Sequence, residues 1–336
     1  MSSLNPSAAV LETVAVREAE TAAERASLAR QAVETVIYGQ SAVVENALVT
    51  LFAGGHGLLV GVPGLAKTKL VETLGIVLGL QAQRIQFTPD LMPSDILGAE
   101  VLETANDGTR AFRFIRGPIF GQLLMADEIN RASPRTQSAL LQAMQERHVT
   151  VAGERHDLPL PFHVLATQNP LEQEGTYPLP EAQLDRFLMQ IDVGYPDIAA
   201  ERQMLFETTG ERSPEPRTVL GAEDLMRMQA LVRRLPVGDS VMEAILRLVR
   251  TARPGPEADP KLAALIAWGP GPRASQALML TTRARALIEG RLAPSIEDVL
   301  ALAEPVLQHR MALTFAARAE GLGVRDVIGR LKAAIG

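Results

Sequence analysis

The stretch that most restricts how this chain can fold is Gly61-Val62-Pro63-Gly64-Leu65-Ala66-Lys67-Thr68. It follows an apolar run at 57–61 and opens a segment in which Leu70, Val71, Leu74, Val77 and Leu78 recur on one helical face. Strand, glycine-containing loop and helix in that order are the context of a phosphate-binding P-loop. The physics is direct. Consecutive backbone N–H groups at a helix N-terminus surround phosphate oxygens. Gly61 and Gly64 permit the tight path. Lys67 adds a positive charge, and the Thr68 hydroxyl is a ligand for Mg²⁺. The general pattern has glycine before the lysine, whereas this chain has Ala66.

The surroundings of that loop set the fold class. From 57 to 192 short apolar runs alternate with helical periodicity, which predicts an α/β unit with candidate strands at 57–61, 83–87, 122–126, 162–167 and 187–192. Leu123, Leu124, Met125 and Ala126 are unbroken apolar sequence, as in a parallel strand covered on both faces. Ser133 and Pro134 mark an N-cap and first helical position, followed by a stripe of Leu140, Leu141 and Met144. Two hairpins are predicted, 99–115 turning at Asn106-Asp107-Gly108 and 147–158 turning near Ala152-Gly153. Residues 8–36 and 41–53 read as helices. Beyond the prolines at 196, 214 and 216 the pattern is helical, at 222–234, 239–252, 260–267, 274–290, 295–309 and 323–335. The expected organisation is an N-terminal helix and lead-in (1–38), an αβα core (39–195), a linker (196–221) and a smaller all-helical domain (222–336).

Composition narrows the partners. The 336 residues carry 33 Lys plus Arg against 39 Asp plus Glu, a net charge of −6, with Trp 1, Tyr 3 and Phe 9. A mildly acidic chain with few aromatics argues against nucleic acid as the main partner. With no cysteine, disulfides and thiolate metal sites are excluded. Glu12, Arg17, Glu18 and Glu20 break up any signal-like apolar region, and no run reaches the ~18 apolar residues of a membrane span. The expectation is a soluble, cytoplasmic protein, where ATP is available.

Further positions carry candidate chemistry. Leu123–Ala126 ends in Asp127 and Glu128, a pattern in which the first acid holds Mg²⁺ and the second polarises an attacking water, or else an acidic helix cap. Ala166-Thr167-Gln168-Asn169-Pro170 closes another apolar run, with Asn169 set to orient water or merely to form a turn. Arg186 lies just before an apolar run, as an arginine acting across a subunit boundary or a salt-bridge partner of Asp185. Arg273 opens a long helix, where the dipole is unfavourable to a cation, a weak hint of a ligand-facing role.

Taken together these segments resemble the MoxR family of AAA+ ATPases: GVPGLAKT with alanine before the lysine, GPIF (117–120), ADEINRASPRTQSALLQAMQE (126–146), ATQNP (166–170), PLPEAQLDRF (178–187) and GPGPRA (269–274). The resemblance runs from about residue 36 to 310. It implies an αβα core with a parallel five-stranded sheet, a helical lid, and a ring, often a hexamer. By motif position, Lys67 and Thr68 would be the Walker A pair, with Gly61, Pro63, Gly64, Leu65, Ala66 and Lys69 also at the nucleotide. Asp127 and Glu128 would be the Walker B pair, and Thr68 with Asp127 would hold Mg²⁺. Asn169 would be sensor 1, Arg186 the arginine finger and Arg273 sensor 2. Ile37, Tyr38 and Gly39 are similar to the segment lining the adenine pocket. The two hairpins match this clade's helix-2 insert and the hairpin before sensor 1. The residues just before Arg273 vary in the family. The implied function is ATP-driven, chaperone-like maturation or remodelling of partner proteins, often ones with a von Willebrand factor A domain. A DNA-acting AAA+ motor and a nucleotide-switched scaffold are the alternatives; Glu128 argues against the scaffold.

Overall fold

A computed structural model describes residues 6–104, 110–172, 174–210, 214–255 and 260–335. The chain opens with helices α1 (Pro6–Glu34) and α2 (Ser41–Phe52), then strand β1 (Gly57–Val60) and α3 (Lys67–Val77). Next come β2 (Ala82–Gln86), α4 (Pro93–Leu97) and the antiparallel pair β3 (Gly98–Thr104) and β4 (Arg110–Arg116). The turn expected between them, at 106–108, lies outside the described residues. β5 (Leu123–Asp127) leads to α5 (Pro134–Glu146), and the second hairpin, β6 (His148–Val151) and β7 (Glu154–Asp157), turns through Ala152 and Gly153, both at positive φ. β8 (His163–Gln168), α6 (Glu181–Leu184) and β9 (Met189–Asp192) complete this part.

The five core strands pair in parallel in the order β2-β5-β8-β1-β9. β5 is covered on both sides, so its alternating side chains enter two cores. Leu123 and Met125 join one, with Leu59, Leu165 and Ile191 of neighbouring strands. Leu124 and Ala126 join the other, against Leu140, Leu141 and Met144 of α5. α5 starts as its sequence predicts: Ser133 Oγ accepts from Thr136 N at 3.4 Å, with Pro134 at the first helical position.

α1 docks on this body through a stripe of small residues, Ala19, Ala22, Ala23, Ala26 and Ala29, with Val33. Salt bridges from Arg25 to Asp224 (2.7 Å) and Arg30 to Glu45 (3.2 Å) flank it. The segment 196–221, expected as a linker, contains a helix, α7 (Ile198–Thr208), capped where Asp197 Oδ1 accepts from Ala200 N at 2.8 Å. Gly39 (φ +67°) passes so close to it that a Cβ would lie 2.3 Å from Ala200 Cβ. That contact, between residues far apart in sequence, places a helix where local composition suggests a tether.

The C-terminal part contains α8 (Ala222–Arg234), α9 (Asp239–Thr251), α10 (Pro260–Ala263), β10 (Ile266–Trp268), α11 (Pro272–Ile288), α12 (Ile296–Leu307), β11 (Ala312–Leu313), α13 (Phe315–Ala319) and α14 (Val324–Ala333). The helix expected at 260–267 is therefore cut short. Ile266 pairs with Leu313 in a small antiparallel β10–β11 ladder, an interaction invisible to local periodicity. The helical lid thus carries one two-stranded addition. No described helix is long and apolar enough to cross a membrane.

Lid and core are joined by a buried cation. The Arg310 guanidinium, 2% exposed, donates to Asp185 Oδ1 (2.8 Å) and to the carbonyls of Phe187 (2.6 Å) and Leu188 (3.1 Å). Nearby, two histidines are locked as neutral rings. Val164 N donates to His56 Nδ1 (2.9 Å), leaving Nε2–H to donate to Met144 O (3.2 Å). His163 Nδ1–H donates to Gly55 O (2.8 Å), while Nε2 accepts from Gln229 (2.9 Å). Burial pushes His56 down to about 3, helped by the neighbouring His163, and pushes His163 down to about 4.

The sign of the resulting pH dependence follows. Above the unfolded value of 6.5 both states hold neutral rings and stability is full. Below it only the unfolded chain takes up the protons, so stability falls as pH drops toward the folded values, by up to about 1.4 kcal/mol per pH unit per ring. The urea midpoint is expected to be lower at pH 5 than at pH 7.5; a flat midpoint across that interval would contradict this account.

Candidate functional site

The P-loop leaves the end of β1 and turns into α3. Gly61 N donates to Gln168 O at 3.1 Å, and a Cβ on Gly61 would lie 2.5 Å from Val193 O, so glycine is required by the close approach of the chain after β9. Gly64 (φ +85°) faces open space. Ala66 adopts the left-handed conformation, φ 57° and ψ 19°, which explains why the general pattern has glycine there. Alanine accepts this geometry at a cost of about 1–2 kcal/mol. Lys67 Nζ donates to the carbonyls of Gly61 and, at 2.8 Å, Val62. Burial lowers the lysine's pKa, while Asp127 and Glu128 pull it back up. A partly desolvated ammonium over a loop of backbone amides fits a phosphate group. The cavity here, about 390 Å³, is lined by residues 63–69 with Asp127, Glu128, Thr167 and Asn169.

The acids sit at the end of β5. Asp127 Oδ1 accepts from Thr167 Oγ1 (2.5 Å) and its Oδ2 from Arg84 (2.7 Å). Glu128 is left-handed (φ 55°, ψ 50°), and its carboxylate accepts from Gln86 Nε2 (2.9 Å) and Arg131 (3.2 Å). Asn169 lines the cavity and also makes a turn: its Oδ1 accepts from Leu171 N at 3.1 Å. Among the described residues no group of three or more His, Cys, Asp or Glu is placed to hold a metal. Thr68 and Asp127 are hard oxygen donors on one cavity, a set that suits Mg²⁺ when phosphate and water supply the remaining ligands.

A second cavity of about 420 Å³ shares residues 63–66 and Lys69 with the first. Val36, Ile37 and Tyr38 line it on one side; Tyr195, Pro196 and Met204 line it on another. Gln40 Nε2, donating to Leu65 O at 3.4 Å, ties its floor to the P-loop. Two predicted contact residues do not line either cavity, Gly39 and Gly61; each is instead a point of close backbone approach. The contribution of α7 was not legible in the sequence, because proline-flanked residues reach the cavity only through the fold.

Arg186 and Arg273 are not brought to the cradle. They line a separate cavity of about 300 Å³ with Arg147 and Arg310. Asp185 pairs with Arg310 (2.8 Å) and Arg273 (3.5 Å), and the alternative reading of Arg186 as its salt-bridge partner is not met.

Residues 56–189 match the ATPase family associated with various cellular activities (AAA), and residues 262–330 match an AAA lid domain. The chain is 42% identical over 300 residues to chaperone MoxR1 of Mycobacterium tuberculosis, covering 89% of this chain and 78% of that protein. The chain belongs to the MoxR family of AAA+ ATPases. It is also 41% identical over 306 residues to the uncharacterised protein YeaC of Bacillus subtilis (90% and 92% covered) and 31% identical over 303 residues to MoxR of Paracoccus denitrificans (85% and 88%). A crystal structure of a candidate ATPase from Cytophaga hutchinsonii superposes with a TM-score of 0.86 at 35% identity, covering 95% of this chain and 96% of that one. The likeness in fold therefore extends beyond the 36–310 stretch that carries the MoxR-like motifs. Family membership makes the chain a nucleotide-binding ATPase.

Proposed function

We propose that this MoxR-family ATPase binds ATP with Mg²⁺ across the two adjoining cavities, hydrolyses it within a homo-oligomeric ring, and uses the cycle to remodel or mature partner proteins. The observation that carries the reading is the separation of parts. The cradle, acids and Asn169 share one cavity, while Arg186 and Arg273 line another. A site divided in this way becomes whole when a second copy brings its arginines to the first copy's phosphates. A hexamer, working in the cytoplasm, is the assembly this proposal adopts.

Each side chain then has a task. The backbone N–H groups of residues 64–68 and Lys67 hold the β- and γ-phosphates, and residues 36–38 hold the base. Thr68 and Asp127 would hold Mg²⁺, which supplies charge neutralisation at the phosphates. Glu128 takes a proton from the attacking water, Asn169 orients that water, and Arg186 and Arg273 of a neighbouring copy stabilise charge on the transferring group.

The naming of MoxR1 as a chaperone supports a protein client, and a partner with a von Willebrand factor A domain is the client class proposed. One observation favours the DNA-acting alternative: β4 carries Arg110, Arg113 and Arg116 beside the exposed Phe112. Affinity capture with Glu128→Gln in ATP separates the two. Recovery of a specific protein that is lost in ADP is expected; recovery of double-stranded DNA would overturn the reading.

A further inference from the structure

Thr167 sits one residue before the end of β8, 1% exposed. In register it lies one step beyond the Ala126↔Ala166 pair, so the parallel ladder sets it beside the end of β5. Its hydroxyl makes two bonds there. It donates to Asp127 Oδ1 at 2.5 Å and accepts from the backbone N–H of Glu128 at 2.8 Å. A hydroxyl has one proton, and this one is committed to Asp127, leaving a lone pair for Glu128.

Both bonds fall on groups that need holding. Glu128 has φ 55° and ψ 50°, a backbone state that a non-glycine residue keeps only where its surroundings impose it. Asp127 has its other oxygen on Arg84, whose side chain is half exposed, so Thr167 is the buried anchor of that carboxylate.

We infer that Thr167 is a positioning residue for hydrolysis, its single hydroxyl setting the metal-side carboxylate of Asp127 and the backbone of Glu128 together. This rests on the reading of Asp127 as metal ligand and Glu128 as base. Hydrogen-bond partners behind a metal ligand support metal affinity or activity by about 10- to 100-fold. Thr167 borders the phosphate cavity, but its hydroxyl is taken up by the two acids, so it acts through them.

The test uses Thr167→Val, nearly the same shape without the hydroxyl, and Thr167→Ser, which keeps it. Nucleotide affinity is measured with fluorescent ATP in EDTA and across a Mg²⁺ titration, beside steady-state turnover. The valine variant is expected to bind nucleotide in EDTA within about twofold of the parent, to need roughly 10-fold more Mg²⁺ for half-saturation, and to lose about 10- to 100-fold in turnover. Serine is expected to restore both. Should the valine chain fail to fold, Thr167→Ala carries the same readouts.

Parental Mg²⁺ dependence and turnover in the hydroxyl-free variant would overturn the inference, and so would failure of serine to rescue. Glu128→Gln run alongside separates the two levels. If it is inactive while Thr167→Val is not, only the positioning role falls; if both turn over normally, the acid assignments fall first.

Discussion

Replacing Glu128 with glutamine is expected to leave ATP bound and to lower steady-state hydrolysis by about 10²- to 10⁴-fold, the range a positioned general base supplies. Glu128 is one wall of the cavity at the P-loop; residues 63–69 form most of the rest, and the adjoining cavity is lined by 36–38 and α7 without it. Glutamine keeps the shape of the side chain and an acceptor for Gln86, now 2.9 Å from the carboxylate. What it removes is the basic oxygen that takes the proton. Removing a negative charge beside the phosphates does not weaken binding, so affinity and rate should separate. Fluorescent-nucleotide binding and phosphate release measure the two; unchanged turnover would refute the assignment of Glu128 as base.

Replacing Arg186 with alanine is expected to abolish the stimulation of ATPase activity on assembly, a loss of about 10³-fold or more if Arg186 acts as arginine fingers do. The side chain lines a cavity that shares no residue with its own cradle. Asp185, its chain neighbour, is engaged by Arg310 and Arg273 instead. The substitution should leave ATP binding and the fold intact, since no ion pair of Arg186 with another described residue is lost. Mixing gives a sharper measurement. An Arg186→Ala chain retains its acids, and a Glu128→Gln chain retains its arginine, so the mixture should recover part of the activity that each lacks. A monomer as fast as the assembly, or a mixture with no recovery, would sink the trans arrangement.

β1, β5 and most of β8 were legible as short apolar runs, whereas the edge strands β2 and β9 mix apolar with polar residues; all five fall on the predicted stretches within two residues at each end. The N-cap at Ser133 was legible because capping is local chemistry. Ala66 was legible as a departure and gained its meaning from the backbone: it occupies the left-handed position that glycine ordinarily fills. The misreadings share one cause. The end of the expected 260–267 helix was drawn into the β10–β11 ladder, and α7 packs against Gly39, far away in sequence.

By itself the sequence determined the five core strands, most of the longer helices, the glycine-containing loop between β1 and α3, and the MoxR kinship. Those are properties of neighbours along the chain, where hydrophobic period, capping and turn preference act over a few residues. Only the tertiary structure decided that Thr167 grips both acids, that Arg84 and Gln86 of β2 hold them from the other side, and that Arg186 and Arg273 stand apart from their own cradle. Each of those depends on which strands lie side by side and where the lid packs. Strand order and packing are settled by burying two faces of one sheet at once, a condition on the whole chain rather than on any segment of it.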